Sequence, residues 1–318
     1  MLLTFLYNSI RFSTTFLLGS TGETITEKSG HLNLGIPGIM CVGAIGGCIG
    51  ESLYIGSLSD ISQMNGFLAV LIPILFSMMC SGLLGLIYSF LTVSLRCNQN
   101  VTGLTITTFG VGLTNYFGAK INRIYFNVAS NFFTKSLYEG DSLGWFGDLV
   151  LSYGVMVYMA IILAIVTAIV LKKTRTGLNL CAVGENPATA DAAGINVTAY
   201  KYGATIIGSS IAGLGGLFYI MDYLKGSWEY SIDAMGWLAI ALVIFCMWRP
   251  NWGILGSIVF GALYIAPNYI NISFSQKELV KMIPFVVTII VLILSSIFNK
   301  KENQPPASLG LSYFREER

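Results

Sequence analysis

Charge is the scarcest feature of this sequence. Only 11% of its 318 residues are Asp, Glu, Lys or Arg, while 54% are hydrophobic and the mean hydropathy is +0.70. A soluble domain carries about 25% charged residues, so half that share cannot build a water-facing surface and lipid has to cover much of it. The net charge of +2 offers no basic footprint for a nucleic acid. Histidine is limited to His31, and the six cysteines, at 41, 48, 80, 97, 181 and 246, include no Cys-x-x-Cys pair. Neither a zinc site nor a disulfide framework is expected. Cys41, Cys48, Cys80 and Cys246 fall in apolar stretches and should stay reduced and buried.

Catalytic signatures are missing too. No Gly-x-x-x-x-Gly-Lys-Ser/Thr phosphate loop occurs, so the chain does not bind ATP by that device. There is no metal-ligand cluster and no Gly-x-Ser-x-Gly elbow. A single histidine leaves little scope for acid–base chemistry, so neither an enzyme nor a cofactor site is expected. The N-terminus is apolar but lacks a basic start and a small-residue cleavage site, and is not expected to be a removable signal.

What the sequence does have is glycine, 35 residues against 8 prolines, and long apolar runs. Close-packed helices in a bilayer favour that balance. A crossing needs about 20 mostly apolar residues, and the candidates are 2–20, 32–50, 66–95, 101–117, 147–171, 203–221, 235–248, 252–270 and 282–298. Asn8, Ser9 and Arg11 interrupt the first, which suits a partly interfacial position. Asn33, Pro37 and the glycines of 32–50 suit a broken or re-entrant helix packed inside protein. The expected fold is all-α: a polytopic transmembrane helical bundle of about eight to ten membrane segments, including broken or re-entrant helices. It occupies residues 1–301, and the tail 302–318, with Pro305 and Pro306, is expected to be short and disordered.

Orientation follows from Lys and Arg in short loops. Lys172, Lys173, Arg175 and Lys201 bracket one polar stretch, Arg249 marks another, and Lys300 and Lys301 follow the last span. All three are expected in the cytoplasm with the C-terminus. Stretches 118–148, 222–234 and 271–281 are expected outside, 118–148 as an exposed connection with mixed charges (Lys120, Arg123, Lys135, Glu139, Asp141). Trp145, Trp228, Trp237, Trp248, Trp252, Tyr219 and Tyr223 cluster at span ends, as an interfacial belt does.

Two stretches stand out: GETITEKSGHLNLGIPGIM, Gly22 to Met40, and GLNLCAVGENPATADAAGINVTAYK, Gly177 to Lys201. In the second, a turn at Gly184–Pro187 precedes a short helix with Asn186 as N-cap and Pro187 in its first turn. Ala188, Ala190, Ala192 and Ala193 favour helix, and Gly194 is placed to end it. The residues alone suit a compact docking element and an ordinary interhelical loop equally.

Both stretches resemble the permease subunits of ABC importers in the branched-chain amino acid, simple-sugar and nucleoside group. The likeness is strongest to nucleoside permeases that work with a lipoprotein receptor of the basic-membrane-protein type. GETITEKSGHLNLGIPG is similar to the family's Gly-Glu-x-x-x-Glu-(Arg/Lys)-x-Gly-x-x-Asn-(Leu/Ile)-Gly run, and AVGENPATADAAGINV to its cytoplasmic Ala-Val-Gly-Glu-Asn-Pro run. One departure is Pro37, where many relatives carry an acidic residue, so no role for that carboxylate transfers. The resemblance implies a pore of two permeases, this chain with a second homologous subunit, in the plasma membrane. Two ABC ATPase subunits would bind ATP beneath it, and an extracytoplasmic substrate-binding lipoprotein would deliver the solute. It further implies that Gly184, Glu185, Asn186, Pro187, Asp191, Ala192, Ala193 and Gly194 form the coupling contact with the ATPase.

The expected function is translocation of a nucleoside or related small polar solute by alternating access. A ribose-type sugar permease is the alternative, and a self-sufficient channel or secondary transporter a more distant one. Candidates for the substrate path are Glu23, Asn33, Asn100, Thr102 and Thr105, polar groups in short or glycine-broken segments; equally, such groups bond neighbouring helices. Glu27, next to Lys28, is expected to form an interfacial pair.

Overall fold

The computed structural model describes residues 2–121, 123–136, 144, 147–270, 273–298 and 304–314. Glu139, Asp141, Trp145, Lys300, Lys301 and the 301/302 boundary lie outside them. Helices α1 (Leu2–Lys28), α2 (Ile36–Gly56), α3 (Gly66–Ser89), α4 (Gln99–Gly118) and α5 (Arg123–Phe133) come first. Then follow α6 (Val155–Lys173), α7 (Arg175–Glu185), α8 (Pro187–Ala192) and α9 (Val197–Phe218). The chain closes with α10 (Ile232–Phe245), α11 (Pro250–Ile265), α12 (Phe274–Val280) and α13 (Ile283–Phe298). Among the described residues there is no strand. Among the described residues, four helices are long and apolar enough to cross a membrane: α2, α3 extended to Ser94, α6, and α9 extended to Tyr223.

The least apolar long helix sits at the centre. α1 packs against α6, α9, α10 and α11, and from Phe12 to Glu27 nearly every residue is buried. Its hydroxyls make this affordable by bonding within the helix: Ser9 to Phe5 O, Thr14 to Ile10 O, Thr24 to Ser20 O and Thr26 to Gly22 O. A hydroxyl that returns its proton to the preceding turn leaves little polarity unpaired. The first segment is therefore no interfacial helix. Arg11 is instead paired with Asp222 across the bundle, Nε to Oδ1 at 2.7 Å.

Glycine lets the backbones meet. A Cβ on Gly22 would fall inside the contact distance of Gly208 O, and one on Gly43 would collide with Gly213 Cα. Helices that lack side chains at the crossing gain dispersion contact along the backbone itself, the dominant attraction where lipid is as apolar as the partner. The 32–50 segment is not broken at Pro37 or at its glycines. α2 is one unbroken helix of 21 residues with Pro37 in its first turn, where a missing N–H costs no helical bond. Irregular turns lie elsewhere, as π-helical ends at Phe90–Ser94 and Tyr219–Tyr223.

The 118–148 connection is also less open than expected. α5 buries Phe126, Ala129 and Phe133 completely against α2, α3 and the Tyr219–Tyr223 turn. All six cysteines are free thiols, with Cys41, Cys48 and Cys246 buried and Cys80 half-buried.

Glu51 on α2 is a misfit in this core. Its carboxyl group is fully buried, and neither oxygen has a hydrogen-bond partner. An unpaired buried polar group costs about 1–3 kcal/mol, so Glu51→Leu is expected to stabilise the protein by that order. Thermal unfolding in detergent measures it, and a lower melting temperature would show that the carboxyl group has a role.

Candidate functional site

The two conspicuous stretches, some 150 residues apart, meet at one end of the bundle. α1 stops at Lys28, and Gly30 turns the chain with φ +84°. An added Cβ on Gly30 would sit 3.3 Å from Gly184 Cα and 2.5 Å from Ser308 Oγ; one on Gly184 would overlap the carbonyl oxygen of Lys28. Gly184 has no positive φ and lies within α7, so glycine is required there by close approach and not by the backbone turn expected from sequence. Gly184 faces α1 and is buried, which removes it from any exposed contact.

From Gly184 the chain makes the capped helix that its sequence foretold. Thr174 caps α7 by accepting the Gly177 N–H at 3.1 Å. The Asn186 side chain accepts the Thr189 N–H at 3.0 Å, and Pro187 opens α8. Gly194 ends it at φ +82°, with its N–H on Asp191 O and that of Ile195 on Ala190 O. Val183, Ala190 and Val197 form a small core beneath, with Ile195, Tyr200 and Tyr313 against it. Glu185, Asn186, Ala192, Ala193 and Gly194 face outward, and nothing lies within 4 Å of a Cβ built on Gly194. The result is a firmly seated knob with a small-residue surface.

Behind it lies a buried polar layer. Glu23 accepts the Asn33 N–H at 3.1 Å, and Asn33 Oδ1 accepts the Gly35 N–H at 2.9 Å. Glu27 lies one turn further along α1 from Glu23, and both carboxyl groups are buried. Glu27 accepts the indole N–H of Trp248. Glu27 is thus a buried acceptor (1% exposed) and not an interfacial partner of Lys28. Trp248, expected in the membrane belt, is buried; Met247 and Trp248 turn in the left-handed region, φ +53° and +56°, which swings the ring inward at some strain. His31, in the loop between α1 and α2, meets Thr205 Oγ1 at 3.2 Å. Thr205 donates its one proton to Lys201 O, so His31 Nδ1 carries the hydrogen of their bond. Burial, then the charge of Lys201, push the His31 pKa well below its usual value, and the ring is neutral.

The path candidates separate into two places. Glu23 and Asn33 join the buried layer. Asn100, Thr102 and Thr105 are on α4, where Thr102 is buried and bonds Asn98 O while Asn100 and Thr105 are exposed. The exposed side of α4 runs through Leu104, Thr105, Thr108, Phe109, Gly112 and Asn115, a mixed stripe at one helical face. By contrast the exposed sides of α3 (Leu75, Met79, Leu83, Ile87) and of α6 before its terminal lysines (Ile162, Ile165, Val166, Ile169) are apolar. Lipid suits the latter two; hydroxyls and an amide along α4 suit protein or water.

The tail overturns an expectation. Residues 304–314 are not disordered but lie as a strap across this end of the bundle. Ser308 donates its N–H (3.0 Å) and hydroxyl (2.6 Å) to Gly184 O, and Tyr313 donates its hydroxyl to Asp191 Oδ2 at 2.8 Å. No local signal in the sequence marks these residues or Trp248, because each finds its partner more than 120 positions away.

Among described residues no group of three or more His, Cys, Asp or Glu could hold a metal ion. Comparison with known proteins agrees with this architecture. Residues 5–292 match the family described as branched-chain amino acid transport system / permease component. The nucleoside ABC transporter permease protein NupC of Lactococcus lactis subsp. cremoris is 30% identical over 98% of this chain and 96% of its own. The guanosine ABC transporter permease protein NupQ of Bacillus subtilis is 27% identical over 96% of this chain and 95% of its own. The putative glucose ABC transporter permease protein TsgC13 of Haloferax volcanii is 30% identical over 80% of this chain and 74% of its own. No solved structure matches. A multi-pass helical bundle without a nucleotide motif, matched by this family over almost its whole length, belongs to the branched-chain amino acid transport system permease family, as a membrane subunit of an ABC transporter.

Proposed function

We propose that the chain forms half the pore of an ATP-driven nucleoside importer that works by alternating access. The observation that carries the substrate is coverage: likeness to the two nucleoside permeases runs nearly end to end, while the glucose relative is matched over about three quarters of its length. The partners are a second homologous permease, two ATPase subunits and an extracytoplasmic receptor lipoprotein. The outward face of α8, with Glu185, Asn186, Ala192, Ala193 and Gly194, docks into the ATPase, and Gly184, Pro187 and Asp191 hold that face in place. Lys172, Lys173, Arg175 and Lys201 gather at the same end of the chain's spans, which supports a cytoplasmic position for α8 and the C-terminus. The stripe on α4, including Thr105, faces the second permease and the path between them. Glu23 and Asn33, being buried and bonded, brace that path from behind.

A simple-sugar permease is the second reading, favoured by the 30% identity to the glucose relative. Reconstitution with the second permease, both ATPases and the receptor separates the two. ATP-dependent uptake of labelled guanosine or adenosine, reduced severalfold by a Thr105→Leu, Thr108→Leu variant, is the expected result. Uptake of ribose or glucose in place of nucleosides would favour the sugar reading, and uptake without ATP would overturn both.

A further inference from the structure

We propose that the C-terminal strap, residues 304–314, is a coupling strut that positions α8 and carries its displacement to α1 and α4; this rests on the docking role of α8 proposed above. The strap is bonded to four segments that are distant in sequence. Tyr313 holds Asp191 of α8, and Ser308 holds Gly184 at the end of α7. The Gly310 N–H reaches Gly30 O in the loop after α1 at 3.2 Å. The Leu311 carbonyl accepts a hydrogen bond from the Gln99 side-chain amide in the first turn of α4 at 3.3 Å, and the Arg96 guanidinium lies over the Phe314 ring at 4.7 Å.

Gln99 makes the junction mechanical. Its amide oxygen accepts the Leu32 N–H at 2.8 Å while its nitrogen holds the strap, so one buried side chain ties α4 to both the α1–α2 loop and the tail. At Gly30 and Gly184 the backbones touch without an intervening side chain, leaving little slack to absorb movement. α8 has only six residues and a core of a few side chains, of which Tyr313 is one. A push on such a small body moves the bundle only through contacts that hold in one state and change in the other. The strap supplies such contacts to the helix that bears the mixed polar stripe. A tail serving only as glue would supply stability and nothing more.

The test uses the whole complex in proteoliposomes and reads solute imported per ATP hydrolysed. Three variants are compared: a chain ending at residue 303, Tyr313→Phe, which keeps the ring in its core, and Ala193→Trp, which touches only the docking face. The expected result is a loss of about threefold to tenfold in that ratio for Tyr313→Phe, the scale of one ordinary hydrogen bond, and more for the truncation, with hydrolysis continuing. Should the two tail variants keep the wild-type ratio, or lose uptake and hydrolysis in step with their membrane abundance, while Ala193→Trp uncouples, the strut is overturned and the docking reading stands. Wild-type coupling in Ala193→Trp overturns the docking reading and the strut with it.

Discussion

A Gly184→Val permease should still assemble with its ATPases and hydrolyse ATP, yet import at less than about a tenth of the wild-type rate. The site leaves no room for a side chain: even a Cβ overlaps the Lys28 carbonyl oxygen and comes within 3.1 Å of the Gly30 nitrogen. Both obstacles are backbone and cannot rotate aside, so α7 must retreat from the end of α1. Overpacking of this kind costs about 1–3 kcal/mol, tolerable for a bundle held by many other crossings. Its functional consequence is larger, because α8 follows α7 directly through Asn186 and would be carried off its seat. Ser308 would lose its grip on the Gly184 carbonyl at the same time. Gly184→Ala should fall between the two. Uptake and ATP hydrolysis measured together in proteoliposomes decide the matter, and wild-type import by the valine variant would show that the close contact carries no motion.

Removing Arg11 should have the largest effect on stability. Its side chain is 11% exposed and that of Asp222 only 1%, and they meet at 2.7 Å; a second bond runs from the guanidinium to the Asp222 carbonyl oxygen. Arg11→Ala leaves the buried Asp222 carboxyl group without the cation bonded to it, a loss of about 3–5 kcal/mol. A buried pair replaced as a whole by apolar residues is often neutral, so Arg11→Leu, Asp222→Leu should recover most of the deficit. Thermal unfolding in detergent should therefore rank wild type close to the double variant and far above Arg11→Ala. A single variant as stable as wild type would mean that Asp222 finds another partner.

The same pair shows why some of this architecture could not be read from sequence. Arg11 interrupts an apolar run, and taken alone it suggests a helix at the membrane surface. Its partner is 211 residues away, in a π-helical turn that no local pattern announces. Pro37 is ambiguous in the same manner: a proline among glycines suits a broken helix, but in the first turn it begins one. The prolines and polar residues of the tail are compatible with disorder, and only the Gly30–Gly184 junction gives Ser308 something to bond.

Scarcity of charge was enough to place the chain in a membrane, since a surface needs polar groups to face water and this sequence does not have them. Local chemistry was enough for α8, where Asn186, Pro187 and Gly194 act on their own backbone within a few residues. Tertiary structure alone decided that α1 is central, that Glu27 bonds Trp248, that the two glycines Gly30 and Gly184 touch, and that residues 304–314 strap them together. The reason is range: caps and hydropathy act between neighbours in sequence, whereas glycine crossings, buried ion pairs and straps exist only once distant segments share one place.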